Sequence, residues 1–243
     1  SLQWTYEPRQ PVIRPGQLNP PFDSAGVAVG NVIRHESHYR LYYWGRDPEG
    51  QNHICLAEAP VQRPQEWRGR GRLLGAQPET DYNAGGPVIP YVLPRSDGPW
   101  LLYAGTVGRP RNDLLVPNFN WWTGLALSED AGLTWRWHTT QPLIPGRRPY
   151  DRAGTGTVCV LRESTGYRMW YTACRGSVHD GERSRAWVGL GYAESADGIA
   201  WHEPRGEWLI APRQNAVQPF EWWIAKPEIV VTEHDGRRTY RLW

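Results

Sequence analysis

Four short passages of this 243-residue chain share one pattern, and each carries a carboxylate near its start. They read FDSAGVAVGNVI at 22–33, DYNAGGPVIPYV at 81–92, YDRAGTGTVCVL at 150–161 and FEWWIAKPEIVV at 220–231. The acids are Asp23, Asp81, Asp151 and Glu221, and small residues and an apolar run follow each. In a repeat architecture, equivalent positions occupy equivalent places. Acids at one register would then gather about one point. Gathered carboxylates are what cleavage of a glycosidic bond requires: one protonates the leaving oxygen, the other activates water or attacks carbon. The protonating acid needs a raised pKa, which apolar walls and neighbouring negative charge provide. Trp222 and Trp223, directly after Glu221, would form such walls. Lys226 would anchor a substrate hydroxyl or carboxylate, or pair with one of the acids. Each acid also has a plain structural reading, because Asp commonly caps the turn ahead of a strand.

The elements that must position these acids read as strands. Each copy runs on into an aromatic-rich segment: YRLYYWG at 39–45, WLLYAG at 100–105, YRMWYTA at 167–173 and YRLW at 240–243. Alternating apolar and aromatic residues bounded by turn residues predict β-strands. The turns are SDG at 96–98, STG at 164–166 and HDG at 234–236. Third strands follow at 53–59, 123–130 and 188–198. Two of them close on a Ser-Asp turn with a Trp behind it: Ser128, Asp130, Gly132, Trp135 and Ser195, Asp197, Gly198, Trp201. There the carboxylate accepts backbone N–H bonds and Gly supplies the unusual dihedrals, so the motif reads as structural. Fourth strands are expected at 139–151 and 206–221, and the N-terminal stretch 7–23 matches them.

Four-stranded units of roughly 60–70 residues without helical periodicity predict an all-β fold, a five-bladed β-propeller. The expected division of this single domain is an N-terminal strand at 1–21 that closes the last blade, blades at 22–80, 81–150 and 151–219, and a partial blade at 220–243. The chain then reads as truncated in its fourth blade, the ring being completed by a missing C-terminal segment or a second chain. Long loops at 107–122 and 175–185 would shape a binding site at one rim.

Composition narrows the partners. Formal net charge is +2, from 27 Lys+Arg against 25 Asp+Glu, with no run of like charge. Neither a nucleic-acid face nor a membrane-spanning run is indicated. The unusual counts are 15 Trp and 12 Tyr against 3 Phe. Such rings pair a flat apolar face with a polar handle, which suits sugar stacking as well as packing between sheets. Trp44 is a further candidate for that role. Cys55, Cys159 and Cys174 make an odd count and read as buried free thiols, although 159 and 174 fall on neighbouring strands. No cofactor is implied beyond a structural calcium at the propeller axis. The seven His show no metal-ligand spacing. The sequence leaves the compartment open.

Taken together, these strings resemble the five-bladed propeller superfamily of arabinanases, levansucrases and invertases, glycoside hydrolase families 43, 32, 68, 117 and 130. They come nearest to predicted glycosyl hydrolase-like propellers within it. The resemblance rests on Phe22, Asp23, Gly26 and Val27; on Tyr42, Tyr43 and Gly45; on Glu221, Ile224, Ala225, Lys226, Pro227 and Val230; and on 167–171 and 191–201. It implies a base or nucleophile at Asp23, an acid at Glu221 and a supporting acid at Asp151, with Asp81 beside them. It also implies a carbohydrate substrate. Two other readings stay open. One is a non-catalytic glycan-binding propeller. The other is a phosphorylase or transglycosylase using a cationic pocket from Arg109, Arg111, Arg147, Arg148, Arg175 and Lys226.

Overall fold

The computed structural model describes residues 11–109, 120–180, 183–213 and 223–243. Among them the chain is built of strands only, in four consecutive antiparallel sheets. The first holds β1 (Gly26–His35), β2 (His38–Arg46), β3 (Asn52–Pro60) and β4 (Arg68–Leu74). The second holds β5 (Gly86–Leu93), β6 (Trp100–Val107), β7 (Trp121–Ser128) and the two-residue β8 (Arg136–Trp137). The third holds β9 (Gly154–Glu163), β10 (Gly166–Asp180) and β11 (Arg183–Ser195). The fourth holds β12 (Ile229–His234) and β13 (Arg237–Leu242). Each sheet is a simple meander, so hairpin turns set the register. Asp235 and Gly236, with φ of 50° and 69°, make the two-residue turn between β12 and β13 that the Asp-Gly pair predicts.

Successive sheets pack face to face. Tyr42, Ile54 and Leu56 of the first meet Val92, Trp100 and Leu102 of the second. Leu101, Tyr103 and Leu125 meet Val158, Val160 and Met169 of the third. Cys159 and Trp170 meet Ile229 of the fourth. A sheet covered on both faces has no solvent side, which is why β6 is buried at every position from Trp100 to Thr106 instead of alternating.

The two Ser-Asp turns lock this stacking. Ser128 Oγ donates to Asp130 Oδ1 at 2.7 Å, and the Leu133 and Thr134 amides donate to the same oxygen at 3.1 and 2.8 Å. Burial opposes ionisation of Asp130. The bonds from Thr134, Ser128 and Leu133 outweigh it and hold the carboxyl at about 2. The turn so fixed presents the Gly132 carbonyl to Tyr42 Oη of the preceding sheet at 3.0 Å, and the Trp135 ring stands edge-on to Tyr42. The second turn repeats the latch, Tyr103 Oη donating to Gly198 O at 2.7 Å with Trp201 edge-on to Tyr103. A Cβ at Gly132 would lie 2.3 Å from Tyr42 Oη, and one at Gly198 2.7 Å from Leu101 Cδ1. Both glycines also have left-handed φ, so no other residue fits there.

The fourth strands are weaker than expected. Among the described residues, that position in the third sheet holds two bridges, Glu194 with His202 and Leu190 with Ile210. Prolines at 204 and 212 remove ladder donors there. The described part of the expected N-terminal strand, 11–21, forms turns. It is held on the first sheet by Asn19, which donates to Tyr43 Oη and Leu56 O at 2.8 and 2.9 Å and accepts from the Gly71 amide. All three cysteines are buried free thiols.

Candidate functional site

The first strands of the sheets run together at the centre, β5 touching both β1 and β9. The first strands of the first two sheets each break their pairing at one place there. The register shifts between Ala28 and Gly30 in β1 and between Val88 and Pro90 in β5, leaving one residue extra each time. In β5 that residue is Ile89, at φ 43°. In the fourth unit the matching residue is Lys226, at φ 58°, just ahead of Pro227. A β-branched side chain in the left-handed region is a rare, strained arrangement. Bulges of this kind re-aim a side chain, and here they aim it inward.

Ile89 and Lys226 both line a central cavity of about 540 Å³. Trp44, Arg46, Asn52, Asn120 and Trp121 complete its polar and aromatic wall. The wall is fixed from behind. Trp44 Nε1 donates to Asn52 Oδ1 at 2.9 Å, and Asn52 Nδ2 donates to Gly85 O at 2.7 Å, tying the first sheet to the second. The Lys226 amide donates to Thr172 Oγ1 at 3.0 Å, and that hydroxyl lies 2.9 Å from Thr157 Oγ1. Asn120 also lines a second, larger cavity of about 790 Å³, with Glu79, Asp81, Arg109 and Trp122. There Arg109 Nε lies 3.1 Å from Asp81 Oδ1.

The expected gathering of acids at the centre is not what the described residues show. No described carboxylate lines the central cavity. Asp23 and Asp151 are fully buried, held beneath the strands by tyrosines. Asp23 Oδ2 accepts from Tyr43 Oη at 2.8 Å and from the Asn19 amide at 3.0 Å. Asp151 accepts from the Arg148 amide at 2.8 Å, and its Oδ2 lies 3.2 Å from Tyr171 Oη. That hydroxyl is 2.8 Å from Glu203 Oε1, which Tyr150 Oη also approaches at 3.1 Å. Burial first, then the hydrogen bond and charge of Glu203, push the Asp151 carboxyl up to about 7.

Asp81 takes neither place. The residue after the bulge pairs with Tyr43 in the first sheet but with Ala104 in the second, so no phenol draws Asp81 inward. Its side chain is 94% exposed. Of the predicted binding residues, Trp44 and Lys226 stand in the central wall. Trp223 is 43% exposed and bridges alongside Val188. Glu221 and Trp222 lie outside the described residues.

Nothing local in the sequence marks Arg46 and Asn52 as wall residues, and no expectation fell on them; Asn120 and Trp121 fall at the end of the 107–122 loop expected to shape a binding site. The Ile-Pro and Lys-Pro pairs at 89–90 and 226–227 are the available signal for the bulge. Among its described residues the wall offers no carboxylate, whereas a calcium ion wants several carboxylate and carbonyl oxygens. Among the described residues no three His, Cys, Asp or Glu are grouped to hold a metal.

No family model and no curated protein matches the chain. Solved structures do. BT0996, in its complex with RGII, superposes with a TM-score of 0.61 at 17% identity, over 92% of this protein and 70% of that one. Zg3597, a family 117 glycoside hydrolase of the marine bacterium Zobellia galactanivorans, gives 0.61 at 13% identity, over 95% and 69%. A thermostable family-43 glycoside hydrolase gives 0.52 at 14%, over 86% and 73%. The chain therefore has the all-β fold of the propeller glycoside hydrolases. At these identities the likeness establishes the fold; the chemistry has to be argued from the site.

Proposed function

We propose that the chain is a carbohydrate-active propeller that holds a sugar chain in the central cavity and cleaves a glycosidic bond at its mouth. The observation that carries this is the cavity itself: about 540 Å³, placed where the first strands converge, walled by two tryptophans and two amides, with Trp44 and Asn52 fixed by hydrogen bonds. Indole faces stack on sugar rings, and rigid amides read hydroxyls. The glycoside hydrolases that share the fold support the reaction class.

The carboxylates proposed for the chemistry are Glu221 as the acid and Asp81 as its partner. Asp81 is the one of the three described candidate acids that faces a cavity, and its cavity shares the Asn120 wall with the central one. Asp23 and Asp151 are proposed to support the strands that carry the wall. A second reading has an observation of its own. A central wall without a described carboxylate also suits a propeller that binds glycans and leaves them intact.

Hydrolysis of a panel of aryl furanosides and pyranosides by the wild type, Asp81→Asn, Glu221→Gln and Trp44→Ala separates the two. Turnover that collapses in both carboxylate variants is the expected result. Sugar binding without turnover in a folded wild type would leave the binding reading in its place.

A further inference from the structure

The charges in the central wall are one-sided. Lys226 and Arg46 are the charged side chains among its described residues. Both are exposed. The Lys226 ammonium has no ion-pair or hydrogen-bond partner among the described residues, and Arg46 spends one donor, Nε, on the Gly50 carbonyl at 3.3 Å. Lysine is not there for the backbone's sake. Ile89 stands at the matching place in the second sheet with a similar left-handed φ, so this backbone conformation does not require lysine and leaves the side chain to be chosen. Pro227 and the amide bond to Thr172 hold the strained turn whatever residue occupies it. A strained position that points a cation into a cavity without a described anion is built for a negative ligand.

Resting on the reading that this cavity holds a glycan, we propose that it recognises an acidic sugar. A uronate-type carboxylate is bound by Lys226 and Arg46 while the ring lies on Trp44 or Trp121. Among the described residues, a neutral sugar would leave both cations without an anion. A carboxylate gains a charge-assisted hydrogen bond from each in a partly enclosed site.

The test uses the full chain and a panel of glucuronate, galacturonate and mannuronate oligosaccharides, each paired with its methyl ester. The ester keeps the sugar and removes the charge. Binding is read by calorimetry and by tryptophan fluorescence. At least one acid is expected to bind about tenfold or more tightly than its own ester, the scale of one added bond to a charged group. That preference should shrink several-fold in Lys226→Met, disappear when Arg46→Met is added, persist in Lys226→Arg, and shrink at high salt.

Equal binding of acid and ester, unmoved by Lys226→Met, overturns the inference and leaves the glycan-binding cavity standing. Absence of binding to every acid, ester and neutral sugar by the folded wild type overturns both. Saturable binding of inorganic phosphate that depends on Lys226, with no uronate bound, makes the anion a phosphate and overturns the choice of sugar.

Discussion

The first and third sheets carry the same pair, an Asp ahead of the first strand and a Tyr on the second, yet they close it differently. In the first sheet Asn19 supplies the donors around Asp23 Oδ2 and Tyr43, and Asp23 Oδ1 is buried without a partner among the described residues. The Asn19 amide donates to Tyr43 Oη and its backbone N–H to Asp23, so the carboxylate meets donors only. In the third sheet Glu203 stands in that place. Four close oxygen contacts link Asp151, Tyr171, Tyr150 and Glu203, and the two phenols bring two protons. Burial pushes both phenols up, so neither gives its proton away. A third proton on the Asp151 carboxyl lets Asp151 donate to Tyr171 while both phenols donate to Glu203, so three of the four contacts are hydrogen bonds. An amide thus closes the first pair, whereas a carboxylate closes the third only while a proton is held. Both acids bind strands together, and the difference between them is readable as pH dependence of stability.

Removing the shared element should have the largest effect. Asp23→Ala leaves Tyr43 Oη and the Asn19 amide without their acceptor in a buried site, and a loss of about 3 kcal/mol is expected. Urea unfolding measures it. A loss under about 1 kcal/mol would mean that Asp23 is not the keystone of the first sheet.

Next comes conversion of one centre into the other. Asn19→Asp places a second carboxyl against Asp23 and deletes the donors to Tyr43 and Leu56. About 2 kcal/mol should be lost at pH 8 and less at pH 5, since like carboxyls at close range hold a proton between them. Equal losses at both pH values would show that the first sheet does not respond to a second acid as the third does.

Much of the fold can be read directly. The strands, hairpin turns and Ser-Asp turns follow from local patterns, and the latches show why those turns recur: each one's glycine carbonyl receives a tyrosine of the preceding sheet. The site is less legible. Asp23 and Asp151 share a register with Glu221, and that register alone suggests a catalytic set. Register fixes where the backbone lies, but the partner across the strand decides which way the acid turns. Tyr43 and Tyr171 draw their acids under the sheet, and Ala104 lets Asp81 out. Asn19 and Glu203 distinguish the two centres, but neither the fourth-strand pattern at 7–23 nor the turn motif ending at Trp201 marks them as partners of the acids. Lys226 reads as a binding residue from sequence, and it does line the cavity; the bulge that aims it there has no comparably plain signal.

The wild type should itself show the third sheet's proton. The Asp151 carboxyl is raised to about 7 in the native state and is ordinary when unfolded. Between those values the native state binds the extra proton, so its stability is present in acid and is lost as pH rises. A fall of about 2 kcal/mol between pH 5 and pH 8 is expected. A flat profile across that window would remove the proton from the account. Partial burial pushes Glu228 upward too, so the sign alone does not assign the slope.

Assignment comes from Glu203→Gln, the smallest and most discriminating change. The amide keeps the size of Glu203 and brings its own N–H donors, turning the third centre into a copy of the first. Asp151 then loses the neighbour whose hydrogen bond and charge raise it, though burial continues to act. Stability should rise by about 1 kcal/mol at pH 8 and change little at pH 5, so that the slope between them flattens. Chemical unfolding at the two pH values on the wild type and the variant gives the four numbers required. A variant that gains nothing at pH 8 and keeps the full slope would show that the pH dependence belongs to another group, and that Asp23 and Asp151, for all their different closures, are energetically the same.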